Sequence, residues 1–254
     1  MKPLSEWKPS GIRTVALDVD DTLTRDGIVE AVAFDALHRL RSAGYRLVAA
    51  TGRPLGWAEV IAHLWPVDTA VGENGAGWFT RDEHGALQEH YFVSDAERRA
   101  IKGAHETILH AVAERLPHVK VSHDARLRRL DLAFDVGEHV KLPPADVATL
   151  EALIRELGAT PVTSSVHCHA ALGSWNKFEA LQAALPDFNA ASLVYIGDSP
   201  NDEPAFAGLA NSVGVANVSA HRFQNPPAYV TQGDRGEGFA EFASHLLMVQ
   251  GRAA

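Results

Sequence analysis

One cysteine, Cys168, is all the chain carries, so no disulfide can form within it and it lacks the stapled framework of small secreted domains. Long apolar runs are missing too. Nothing approaches the roughly 18 continuous apolar residues of a membrane span, and the opening "MKPLSEWKPSGIRT" has no apolar core of the signal-peptide kind. Basic charge is scarce. A formal net charge of −9 with no Lys/Arg-rich run argues against a nucleic-acid surface. The expectation is a soluble, cytoplasmic protein with no membrane and no nucleic acid among its partners, its oligomeric state left open. Acidity does not exclude an anionic substrate, because a metal ion and one or two cations invert the sign inside a cleft.

What the chain does have is a core. Its 254 residues, 46% of them hydrophobic, suit one large domain or two modest ones. Thr14–Leu17 reads as a buried strand. A helical stripe follows at Val32, Ala33, Leu37 and Leu40, stopped by Gly44. Arg46–Ala50 is a second strand, Pro54 opens another helix, and Asp68–Val71 leads into the turn "GENGAG". Gly77–Thr80 and Ala86–Val93, flanking "RDEHG", read as a hairpin. From about Ser94 the rhythm changes to a long helix over Asp95–Arg115, alternation over Leu130–Val136, a helix over Pro144–Leu157, and strands in "PVTSSV" and "HCHAAL". Gly173–Asn176 is the return linker. Alternation of helix and strand then resumes with a helix from Lys177, the strand Leu193–Ile196, a helix near Glu203–Gly208, strands at Ser212–Val215 and near Tyr229, and a last helix over Gly238–Met248. The expected fold is α/β: a doubly wound, mainly parallel Rossmann-like core formed by 1–92 and 173–254, with an inserted α+β cap domain at 93–172.

In such sheets, ligands sit beyond the carboxyl ends of the strands. There the sequence places Asp18 and Asp20, Thr51, Lys177, and Asp198 with Asp202. Strand alternation turns Asp18 and Asp20 to one side and Asp21 away. Crowded carboxylates do not ionise together cheaply unless a cation neutralises them, and oxygen ligands without His or Cys favour a hard ion such as Mg²⁺. One aspartate can then attack phosphorus while a second carboxyl group handles the proton. The Thr51 hydroxyl and the Lys177 ammonium would stabilise charge on the phosphoryl oxygens. Taken singly, each piece also has an ordinary reading as a turn residue, a helix cap or a surface lysine. Their order along an α/β chain is what carries the signal.

In that order the chain resembles the haloacid dehalogenase superfamily of phosphohydrolases. "LDVDDTLT" resembles the first motif, "AATGRP" the second, "GSWNKFEAL" the third and "VYIGDSPNDEPAF" the fourth. The resemblance implies that Asp18 is the nucleophile and that Asp20 is the general acid/base, whose backbone carbonyl also meets Mg²⁺. It implies that Asp198 is a direct Mg²⁺ ligand and that Asp202 assists directly or through water. The insertion between the second and third motifs resembles the class IIB cap, as in sucrose-phosphatase and mannosyl-phosphoglycerate phosphatase. Asp21 stands where many relatives have Gly, and the family gives it no catalytic role. The expected activity is Mg²⁺-dependent hydrolysis of a small phosphate ester, with a sugar phosphate as the expected substrate, through phospho-Asp18. A phosphotransferase of the phosphomannomutase type and a non-catalytic sugar-phosphate-binding protein remain open alternatives.

Around these motifs, Arg53, Asn74 and Asn201 are candidate substrate contacts. His167 and His169 share one face of a strand, yet no further ligands at a suitable spacing make them a metal site. They read at most as cap-side substrate contacts. The tryptophans Trp57, Trp65, Trp78 and Trp175 read as packing groups. Neither "GENGAG" nor "GDRGEG" is a dinucleotide-binding fingerprint.

Overall fold

A computed structural model describes residues 1–163 and 166–251. It divides into two compact units. One comprises Met1–Arg53, Trp57–His90 and the chain from Trp175 onward, and the other Pro54–Gly56 and Tyr91–Ser174.

The first unit opens with β1 (Lys2–Pro3) and β2 (Thr14–Leu17), the latter buried at every position. A ribbon of β3 (Thr24–Arg25) and β4 (Ile28–Val29) precedes α1 (Ala31–Ser42). The buried stripe of α1 is Ala33, Ala36, Leu37 and Leu40, so Ala36 takes the place expected of Val32, which is exposed. Gly44 ends the helix as expected, at φ +83°, a conformation that suits a residue without Cβ. Then come β5 (Arg46–Ala50), α2 (Leu55–Leu64), β6 (Thr69–Gly72), β7 (Gly77–Arg81) and β8 (Leu87–Tyr91).

The second unit begins with α3 (Asp95–Arg115), where Ser94 and Glu97 form a reciprocal capping box. It continues through β9 (Lys120–Val121), β10 (Ala133–Asp135), α4 (Pro144–Glu156), β11 (Thr160–Thr163) and β12 (His167–Ala171). Of the expected strand "PVTSSV", Ser164 and Ser165 lie outside the described residues. The sheet runs β11-β12-β10-β9 and is antiparallel throughout. Its core joins Ile108 and Val112 of α3, Leu150, Leu153 and Ile154 of α4, and Phe134, Cys168 and Ala170 of the sheet. The strand expected over Leu130–Val136 shortens to Ala133–Asp135. Asp131 turns to Arg128 and His169 instead, and Asp135 accepts from the backbone of Gly137, Glu138 and His139, which bends the chain out of the ladder.

The chain re-enters the first unit as α5 (Lys177–Ala184), β13 (Leu193–Gly197), α6 (Glu203–Gly208), β14 (Ser212–Gly214), β15 (Tyr229–Val230) and α7 (Arg235–Val249). Among the described residues the large sheet has nine strands in the order β1-β15-β14-β13-β2-β5-β6-β7-β8. Its centre, from β14 to β6, is parallel, and β7 turns antiparallel beside β6, inside the edge strand β8. Ala16, Val48 and Tyr195 on one face pack with Ala180 and Leu181 of α5 and Phe206 of α6. The alternate residues Val15, Leu17, Leu47 and Ala49 are fully buried toward the other face, where α1 packs on α7. This is the doubly wound, mainly parallel core the sequence implied.

Candidate active site

Successive strands leave β2 in one direction through β5 and β6, and β13 in the other through β14 and β15. The order reverses between β2 and β13, where Leu17 pairs with Ile196. A crevice at the carboxyl ends is expected there, and Asp18 and Asp198 each follow one of the two strands.

Lys177 joins them. It is fully buried at the start of α5, and its Nζ donates to Asp18 Oδ1 and to Asp202 Oδ1, both at 2.6 Å. Asn176 caps α5 by accepting from Glu179 N at 3.0 Å, which sets where the lysine enters. Gly75 permits that approach. At φ +116° it lies so close that a Cβ there would be 2.5 Å from the Asn176 carbonyl oxygen.

Asp202 is saturated. Oδ1 also accepts from the Tyr195 hydroxyl at 2.5 Å, while Oδ2 accepts from the backbone N–H groups of Asp198 and Ser199 at 2.9 and 3.0 Å. Asp198 is different. Asn217 Nδ2 donates to its Oδ2 at 2.8 Å, but its Oδ1 is buried with no partner. A buried carboxylate oxygen without a donor is costly. Asp18, Asp198 and Asp202 each bring an oxygen into a cluster whose atoms lie within 4.8 Å of one another. An all-carboxylate set with one bare oxygen fits a hard divalent cation.

The electrostatics agree. Burial pushes the Asp18 carboxyl well above the usual carboxylate range, outweighing Lys177, with Asp202, Asp198 and Asp20 adding to the effect. Burial likewise carries Asp198 up to about 7, helped by Asp202 against Lys177. Burial alone would lower Lys177, yet Asp18 and Asp202 hold it above its ordinary value. Crowded carboxylates outnumber the buried cation, and a second positive charge would relieve them.

Asp20 reaches a different partner set. β2 ends at Leu17 and Asp20 sits in the turn beyond it, so the turn, and not strand alternation, aims its side chain. Arg53 Nε and Nη2 lie 3.0 and 2.8 Å from Asp20 Oδ1, and Thr51 Oγ1 lies 3.3 Å from Oδ2. The Arg53 guanidinium lies over the Trp57 ring, 5.1 Å from its centroid. Asn74 and Asn201 meet each other, Nδ2 of Asn201 donating to Asn74 Oδ1 at 3.1 Å. Asn74 holds a left-handed φ of +56° and also donates its N–H to the Thr51 carbonyl.

A sequence model of the haloacid dehalogenase-like hydrolases matches residues 15–146, just over half of the chain. The chain belongs to the haloacid dehalogenase-like hydrolases. A phosphoglycolate phosphatase of Haloarcula marismortui is 27% identical over 230 residues, covering 89% of this chain and 93% of the relative. Another, of Methanosarcina mazei, is 26% identical and covers 92% and 96%. Among solved structures, a Thermoplasma acidophilum protein superposes with a TM-score of 0.72 at 20% identity, covering 93% of this chain and 98% of that one. The sucrose-phosphatase of Synechocystis, solved with sucrose and phosphate, gives 0.64 at 18% identity, covering 92% and 97%. At these identities the structural likeness shows the fold.

Two residues of this haloacid dehalogenase-like site escaped sequence reasoning. Tyr195 had a signal, since a tyrosine inside the apolar strand "LVYIG" needs a partner for its hydroxyl. Asn217 had none. It lies in the short turn after β14 and meets Asp198 only in the folded chain. Asp21 takes φ +53°, the backbone conformation that glycine favours, and pairs with Arg235 Nε at 2.9 Å. His167 and His169 bond to Glu138 and Asp131 within the second unit, each at 2.8 Å. Among the described residues no helix is long and apolar enough to cross a membrane.

Proposed function

We propose that this phosphoric monoester hydrolase is a Mg²⁺-dependent phosphatase of a small phosphorylated metabolite, working through a phosphoryl group carried on Asp18. The observation that supports it most is the asymmetry of the Asp18 carboxylate. Lys177 binds Oδ1 at 2.6 Å, while Oδ2 has only a 3.4 Å contact from the Thr22 hydroxyl. Oδ2 is therefore the oxygen free to attack.

Asp18 Oδ2 forms a bond to phosphorus as the bond from phosphorus to the ester oxygen breaks. The leaving alcohol takes its proton from Asp20. Asp20 then removes a proton from water, which attacks phosphorus, breaks the bond to Asp18 and releases inorganic phosphate. Asp18, Asp198 and the Asp20 backbone carbonyl would hold Mg²⁺, with Asp202 supporting them through its four donors. The ion when bound supplies charge neutralisation for the incoming phosphate and the attacking carboxylate. Lys177, Thr51 and Arg53 offer donors to the phosphoryl oxygens, with Arg53 leaving Asp20 for the substrate. Residues 93–172 serve as a cap that sets the leaving group and limits water.

Phosphoglycolate is the substrate in the names of the curated relatives. It joins the sugar phosphates as the compounds to test first. The experiment is a panel of such esters incubated with protein and Mg²⁺ and scored by phosphate release. Release without a sugar bisphosphate activator supports a phosphatase over a phosphotransferase. Failure on every ester by folded, Mg²⁺-bound protein overturns the reading in favour of a binding protein.

A further inference from the structure

We infer that Asn217 is a positioning residue that prepares both of the loops that face the cation; the inference rests on the Mg²⁺ reading above. Its carboxamide is used on both sides. Nδ2 donates to Asp198 Oδ2 at 2.8 Å and to the backbone carbonyl of Asp21 at 3.0 Å, and Oδ1 accepts from the Arg235 N–H at 3.0 Å.

Each bond has a consequence for the site. With Oδ2 committed to Asn217, the Asp198 carboxylate cannot rotate freely, and its buried Oδ1 is left without a protein partner beside the Asp18 and Asp202 carboxylates. The bond to the Asp21 carbonyl holds the Asp21–Thr22 peptide, one unit beyond the peptide that carries the Asp20 carbonyl, in a turn where Asp21 takes φ +53°. One amide thereby sets the direction of a side-chain oxygen after β13 and of a main-chain segment after β2. The third bond anchors that amide at the head of α7, where Arg235, itself at φ +49°, ties back to Asp21 through Nε at 2.9 Å. Asn217 touches neither Asp18 nor Lys177 in any bond found among the described residues, so its influence runs through the carboxylate and the carbonyl it holds. Partners of this kind around a metal typically change affinity by about 10–100-fold when removed.

Mg²⁺ alone is the probe, read by the concentration that gives half of the Mg²⁺-induced rise in melting temperature, without turnover. Asn217→Ala, and Asn217→Ser as a second variant, are expected to raise that concentration about 10-fold or more, with the metal-free melting temperature within a few degrees of wild type. Phosphate release by the same variants should recover toward the wild-type rate in excess Mg²⁺, which general structural damage would not allow. Arg235→Gly deletes the ion pair to Asp21 but keeps the N–H that Asn217 accepts, and should shift the Mg²⁺ midpoint less than about two-fold. The inference is overturned if both Asn217 variants bind Mg²⁺ within two-fold of wild type, or if Arg235→Gly reproduces their loss. A wild-type protein that shows no Mg²⁺ response overturns the Mg²⁺ reading itself, and this inference with it.

Discussion

Arg53 grips Asp20 with a fork: its Nε and Nη2 both reach Oδ1, at 3.0 and 2.8 Å, and Nε also lies 3.1 Å from Oδ2. The pair sits at the mouth of the site, with side chains 28% and 38% exposed. Such a pair adds little to stability, about 0–1 kcal/mol, and a phosphate competes well for a guanidinium. Arg53→Ala is therefore expected to leave the denaturation midpoint nearly unchanged while lowering kcat/KM by about 10²-fold. Arg53→Lys should recover only part of the loss, because an ammonium cannot fork. Steady-state kinetics beside a urea titration checks both.

Lys177 is the opposite case. It is wholly buried between Asp18 and Asp202. Removing the cation leaves uncompensated carboxylates in the interior, which typically costs about 3–5 kcal/mol. Lys177→Met is expected to lose that much in urea denaturation as well as its turnover. Equal stability to wild type would show that the lysine is not the site's internal counter-charge.

Gly75→Ala tests how the loop between β6 and β7 fits against α5. A Cβ at φ +116° and 2.5 Å from the Asn176 carbonyl oxygen cannot be accepted without movement. The strain is on the order of 1–3 kcal/mol. Lower stability and weaker activity are expected together, because Asn176 caps the helix that carries Lys177.

In the inserted unit, Asp131 is held down to about 2: burial would raise it, but His169 and Arg128 outweigh that. A folded-state value below the ordinary one means that its contribution is complete above pH about 4 and is lost as pH falls toward 2. Asp131→Asn should destabilise the protein at neutral pH by about 2 kcal/mol. It should also lessen the decline in stability between pH 4 and pH 2, measured by denaturant titration at each pH.

Much of this was legible in the sequence because it depends on local signals. The order of strands and helices, the Gly44 stop, and the placing of Asp18, Asp20, Thr51, Lys177, Asp198 and Asp202 at the ends of strands or helices all follow from periodicity and from polar residues at those ends. What stayed hidden depends on tertiary geometry. Alternation suggested that Asp20 shares the side of Asp18, yet the strand stops at Leu17 and the turn sends Asp20 to Arg53. Arg53 and Asn74 are candidate substrate contacts, and the fold also gives each a protein partner, Asp20 and Asn201, that spacing does not show. Asn217 could not be found from spacing at all, since a carboxamide in a short turn carries no periodic mark.

Asp18 carries the central step of the proposed reaction. The most direct measurement is the rate of phosphate release from a simple aryl phosphate with Mg²⁺, comparing wild type with the near-isosteric Asp18→Asn. A functional wild type and a loss of about 10³-fold or more in the variant, with the fold retained, is the expected result. Near-wild-type hydrolysis by Asp18→Asn would contradict it.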